Sequence, residues 1–193
     1  MNDLKNRISK LNNYIVSNAQ EVIKNGDTNL NIFDYDPEDR YKVQDYLYNF
    51  ISFHAKDKIL IIDIYNTIIE ILQEIDYIDI VIEDEKNNGL AYANKIIQSV
   101  LGIGTRNDDL LKNTILEKIN NSNKDIIILT GLEGCYQIIR GHTILSILES
   151  NISKKLIIMF YPGTYDGQTF KLFNKLGNDN GYNATIIAGR QEI

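Results

Sequence analysis

The sequence predicts an α/β fold, a three-layer sandwich with a mostly parallel sheet of about five strands. Short, uninterrupted apolar runs at 58–64, 125–130 and 156–161 have the form of strands buried on both faces. Segments with helical spacing separate these runs, which implies parallel pairing through right-handed crossovers. The runs at 125–130 and 156–161 each lead into a glycine-containing turn, at the strand ends where open α/β sheets place their sites.

Leu4, Ile8, Leu11, Ile15, Ala19 and Val22 recur at helical spacing and predict an amphipathic first helix, with Gly26 suited to its C′ position. A first strand follows over Leu30–Phe33. The acidic turn Asp34-Tyr35-Asp36-Pro37 comes next, with Asp36 as a helix cap and Pro37 at the first helical position. The second helix carries Val43, Tyr46, Leu47, Phe50, Ile51 and His54 on one stripe. The strand Lys58–Ile64 leads into a helix through Ile68, Ile69, Leu72 and Ile75. Asp76–Asp84 alternates in part and is read as a loop or short extended piece. Helices are expected at 90–101 and 107–120, separated by the break Gly102-Ile103-Gly104. After the strand at 125–130, a helix over 135–149 reaches the strand at 156–161. A short helix near 168–176 and a strand near 184–188 complete the pattern.

At 193 residues, 44% hydrophobic and 24% charged, the chain reads as one domain over 1–193, with no linker or repeat. A net charge of −6 and a pI near 5.0 argue against broad nucleic-acid binding. One cysteine, Cys135, permits no internal disulfide and suits a reducing compartment. No secretory signal and no membrane span is legible, so the expected location is cytoplasmic.

The first strand does not end in a phosphate cradle. That turn needs glycines and a lysine, and here it holds Asp34, Asp36, Glu38 and Asp39, which repel a triphosphate. The third strand stands where a nucleotide hydrolase carries its magnesium-binding acid, yet it ends in Thr130 and Gly131. Glu133 is assigned to capping or solvent. The sheet thus resembles a P-loop-type fold without Walker motifs, and no cofactor is expected. With only His54 and His142, a histidine-rich metal site is excluded. Arg140 and His142 are read on one helix, His142 toward the core or an interface. Cys135 and His142 lie two helical turns apart, too far to pair as nucleophile and base. The strongest local feature is Phe160–Gly167, where a Pro-Gly type II turn and an Asp-Gly turn present three aromatics.

These residues resemble the BrxB-like proteins of BREX phage-defence systems. The likeness rests on Ile32–Asp39, Ile128–Gly131, Ile139–His142 with Leu145, and the block Met159–Gln168 followed by Leu172, Phe173 and Leu176. One departure stands near the end, where Gly181-Tyr182-Asn183-Ala184 replaces an expected asparagine-tyrosine-tyrosine-arginine. The resemblance implies a cytoplasmic component of a defence apparatus that also encodes a DNA methyltransferase, a large ATPase and a PglZ protein. It implies a non-enzymatic adaptor, with other BREX proteins as partners and PglZ foremost. The alternative is a degenerate nucleotide- or nucleic-acid-binding protein of the same system. The expected partner surface comprises Arg140 and His142, the loop residues Tyr161, Pro162, Gly163, Tyr165, Asp166 and Gly167, and the turn residues Asp34 and Asp36.

Overall fold

The computed structural model describes residues 3–25, 29–51, 57–105, 108–179 and 184–190. Helix α1 (Asp3–Asn25) precedes strand β1 (Asn29–Tyr35). A 3₁₀ turn (Pro37–Asp39) then opens α2 (Arg40–Asp45), which continues as a π-helical stretch (Tyr46–Ile51). Strand β2 (Ile59–Asp63) runs directly into α3 (Ile64–Glu74), because the Asp63 carboxylate accepts the Asn66 N–H at 2.9 Å and caps the helix. Helices α4 (Ile78–Asn88), α5 (Leu90–Val100) and α6 (Leu110–Asn120) follow. Strand β3 (Ile126–Thr130) leads to the single turn α7 (Leu132–Cys135) and to α8 (Gly141–Asn151). Strand β4 (Leu156–Tyr165) extends into β5 (Phe170–Leu172) and β6 (Leu176–Asp179), and β7 (Thr185–Ile186) ends the sheet.

Five strands form the parallel body in the order β2-β3-β4-β1-β7. Alternation within each strand divides the core in two. Ile127, Leu129, Ile157 and Met159 face one layer with α3, α5, α6 and α8, while Ile126, Ile128, Ile158 and Phe160 face the other with α1 and α2. Covering both faces explains why β3 and β4 read as unbroken apolar runs. Each buried isoleucine on these strands stabilises the fold by roughly 1.5–3 kcal/mol. The three-layer α/β sandwich with its mostly parallel sheet is therefore as expected.

Four local expectations are corrected. Residues 78–88 form helix α4, whose isoleucines alternate in sequence but pack helically, Ile78 and Val81 leaning on the core three residues apart. The helix expected over 135–149 is split, since Arg140 is extended (φ −97, ψ 152) and α8 begins only at Gly141, beside the Met159 sulfur. Arg140 and His142 thus do not share a continuous helix; Arg140 stands at the N-cap. Pro162 and Gly163 make no turn: β4 runs through them, Pro162 opposite Tyr35 of β1 and Gly163 opposite Leu172 of β5. Finally, the helix expected near 168–176 is the β5–β6 hairpin. Its turn places Phe173 and Asn174 at φ 54 and 59, and the Lys175 N–H donates to the Leu172 carbonyl at 3.1 Å. Positive φ at both central residues is the type I′ hairpin geometry, which Asn174 signals and Phe173 conceals. The expected places of Gly26, His54, Asn107 and Gly181–Asn183 lie outside the described residues.

Candidate functional site

At the carboxyl ends of β1 and β4, part of the usual ligand crevice of an open α/β fold, this chain's own side chains pack together. Asp34, near the end of β1, is buried at 2% exposure. Arg7 of α1 reaches it, its Nη2 donating to the Asp34 carboxylate at 2.6 Å and its Nε to the Ala188 carbonyl at 2.6 Å. The Tyr165 N–H donates to the other Asp34 oxygen at 3.3 Å. Arg190 approaches from the C-terminal segment, with Nε 3.5 Å from that same oxygen. Its Nη1 donates to Asp36 and its Nη2 to the Gly163 carbonyl, both at 2.6 Å. Two guanidiniums thus face two carboxylates and tie α1, β1, β4 and the segment 184–190 into one clamp. Asp36 is the expected N-cap residue, with Pro37 after it, but its side chain caps nothing and serves this clamp instead.

Gly163 is needed because β5 crosses above it: a Cβ there would lie 2.2 Å from the Lys171 carbonyl oxygen. The hairpin brings Phe170 between Tyr161 and Tyr165, at ring-centroid distances of 5.0 and 4.4 Å. Both tyrosines are only 3% exposed. The Tyr165 hydroxyl accepts the Ala184 N–H at 2.9 Å, and burial raises its pKa. Tyr161, Pro162, Gly163, Tyr165 and Asp34 are accordingly interior residues, in contrast to the exposed aromatic loop that the sequence suggests.

What reaches solvent lies around them. Asp166 closes the β4–β5 turn by accepting the Thr169 and Gln168 N–H groups at 2.7 and 3.0 Å, contacts that lower its pKa. Gly167 follows at φ +95, a backbone state that favours glycine. Arg140 lies over the Tyr136 ring at 5.5 Å, and Tyr136 meets Phe173 edge-on at 6.2 Å. That aromatic bridge brings Arg140 to the hairpin. His142 is half-buried in the first turn of α8. Beside Phe173, Thr164 donates to Asn174 at 2.5 Å and Asn174 to Asp36 at 3.2 Å, extending the clamp onto the surface. Sequence reasoning missed Arg7, Arg190, Tyr136 and Asn174. Only Arg7 left a signal, as a charged residue between Leu4 and Leu11 on the apolar face of α1.

A family model described as BREX protein BrxB matches residues 60–187. The chain belongs to the BrxB family. Two curated relatives carry the same description. BREX protein BrxB of Bacillus cereus (strain H3081.97) is 34% identical over 160 residues, covering 79% of this chain and 80% of the relative. BREX protein BrxB of Escherichia coli O9:H4 (strain HS) is 27% identical over 186 residues, covering 94% and 90%. No solved structure matches the chain. Membership makes it a component of a BREX system, as the sequence resemblance implied.

Cys135 and Glu133 of this BrxB-family chain lie just beyond the end of β3. Cys135 is 1% exposed, and burial pushes its thiol up to about 12, assisted by the carboxylates of Asp63 and Glu133. Its sulfur lies 3.4 Å from the Gly131 carbonyl. Glu133 is neither a cap nor solvated: its side chain is 14% exposed and one oxygen faces Arg40 at 3.8 Å. Burial also raises the Tyr35 hydroxyl, with Glu133 adding to the effect. Among the described residues, no three His, Cys, Asp or Glu side chains converge as metal ligands, and no helix is long and apolar enough to cross a membrane.

Proposed function

We propose that this chain is a non-catalytic assembly subunit of its BREX system, supporting host DNA methylation and phage exclusion by binding other components, PglZ foremost. The observation that supports this reading best is the packing of this chain's own charged side chains at the carboxyl ends of β1 and β4. Arg7, Asp34 and Arg190, with the β5–β6 hairpin, occupy the crevice where an α/β enzyme would receive its substrate. The half-exposed rim offers Arg140 over Tyr136 with Phe173 beside it, a mix of cation and aromatic suited to protein contact.

The test is co-purification of the tagged chain with PglZ from its own operon. Arg140→Glu changes an exposed side chain, and retained PglZ is expected to fall about tenfold while the thermal midpoint holds. Unchanged retention overturns the surface. Saturable binding of ATP with magnesium in calorimetry, followed by turnover, overturns the non-catalytic reading.

A further inference from the structure

The segment 74–92 breaks three local rules. It holds six carboxylates, Glu74, Asp76, Asp79, Glu83, Asp84 and Glu85, against one lysine, Lys86, which is −5 of the chain's net −6 within residues 74–86. Among the described residues, none of the six has an ion-pair partner. Asp79 and Glu83 stand four apart on α4, a like-charge spacing that weakens a helix. Glu83, Asp84 and Glu85 crowd its C-terminal half, toward the negative pole of the backbone dipole. The third rule concerns burial. Helix α4 has no fully buried side chain, and Ile80 and Ile82, on either side of the inward Val81, are each 44% exposed. Ile75 at 40% and Leu90 at 54% add to the apolar surface.

None of this stabilises the fold. The element is nonetheless fixed in place: α5, joined to α4 through Gly89 alone, is fastened by Gln98 to the Gln137 and Ile138 carbonyls and by Asn94 to the Gln137 side chain. Departures from local rules that bring no structural return belong to functional surfaces.

The sign of the charge identifies the occupant. Nucleic acid and anionic bilayers are repelled, and a second copy docked face to face would present the same negative charge. We propose that the 74–92 face docks a basic, apolar segment of another protein of the BREX system, its Lys and Arg meeting the outward Asp79 and Glu83 and its aliphatic side chains covering Ile82 on the adjoining flank. This inference rests on the assembly reading and assigns it a second surface, apart from the hairpin rim.

The experiment uses the full chain, tagged and co-expressed with the other proteins of its operon. Two variants are compared with wild type, Asp79→Lys with Glu83→Lys, and Ile82→Ser, each checked by circular dichroism. Each should keep the wild-type helical spectrum and a cooperative melt, with at most a small fall in midpoint for Ile82→Ser. Each variant is expected to retain about tenfold less of the same BREX partner. A photoreactive phenylalanine in place of Ile82 should crosslink to a peptide rich in Lys and Arg. Retention at the wild-type level by both folded variants, or a crosslink to nucleic acid or to a second copy, overturns the docking face while leaving assembly intact. A wild-type chain that retains no BREX protein overturns the assembly reading and this inference with it.

Discussion

Replacing Asp34 with asparagine tests whether the sheet edge is an internal fastener. The substitution keeps the shape and removes the charge. Arg7, whose side chain is 5% exposed, then faces no carboxylate oxygen at 2.6 Å and cannot regain water without opening the edge. The amide also brings a donor toward the Tyr165 N–H, which now donates to Asp34. Removing one member of a buried pair costs about 3–5 kcal/mol, against about 0–1 kcal/mol for a surface pair. Arg190 moderates the loss, because it keeps Asp36 and the Gly163 carbonyl. For a domain of this size each kcal/mol moves the thermal midpoint about 2–4 °C, so a drop of roughly 6–20 °C is expected. Circular dichroism melts, with urea titrations confirming an unchanged m-value, provide the measurement. Arg7→Met alone should destabilise less than Asp34→Asn, since it leaves Asp34 with Arg190 and the Tyr165 N–H. The double variant should fall short of the sum of the singles. A loss under about 1 kcal/mol for Asp34→Asn refutes the fastener and returns Asp34 to the list of partner-contact residues.

Gly163→Ala should destabilise by about 3 kcal/mol or more, because the new methyl meets the Lys171 backbone, which no rotamer change relieves; a near-neutral urea midpoint would show that β5 does not cross there. Cys135 should react with a thiol reagent at pH 8 only on unfolding, and a fast native reaction contradicts its burial. Stability should decline in alkali. The thiol of Cys135 and the hydroxyls of Tyr35 and Tyr46 are raised in the folded state, so the native protein keeps protons that the unfolded chain releases above about pH 9–10. Their contribution is whole below that range and shrinks as pH climbs through it, so the urea midpoint at pH 10 should lie below that at pH 7. Tyr165→Phe should cost about 1 kcal/mol and speed amide exchange at Ala184, whose N–H the hydroxyl now holds.

The sheet body was legible because its cause is local. Strands covered on both faces have to be apolar at every position, and β3 and β4 are. The helices α1, α3, α5 and α6 were legible for the matching reason of one buried stripe. Legibility failed where the deciding partner lies far along the chain. The hairpin at 170–179 exists because Gly163 admits β5 and Phe173 packs on Tyr136, and nothing near Lys171 announces either. Pro-Gly reads as a turn on propensity alone, yet Pro162 continues β4 and lends its carbonyl to the Phe173 N–H at 2.9 Å. Of the residues singled out in the sequence, Asp34, Tyr161, Pro162, Gly163 and Tyr165 are interior, where exposure was expected. An aromatic, glycine-rich block looks alike whether it greets a partner or wraps a hairpin.

That reversal bears on how a BrxB-family protein works within BREX. The block at 159–168 is the densest part of the resemblance, and the structure turns most of it inward. Its dominant constraint is then the closure of the sheet edge: Tyr161 and Tyr165 clasp Phe170, and Tyr165 also holds Asp34 and Ala184. If the chain acts as the proposed assembly subunit, its contacts lie outside this packed block. Two surfaces answer that requirement in different chemistry. The rim of Arg140, Tyr136 and Phe173 is cationic and aromatic, whereas the α4 face is acidic and aliphatic. On that proposal, opposite charge on separate surfaces would let one small subunit hold two unlike partners at once. Charge changes on one surface should then weaken one partner and spare the other, a separation that a single shared interface could not give.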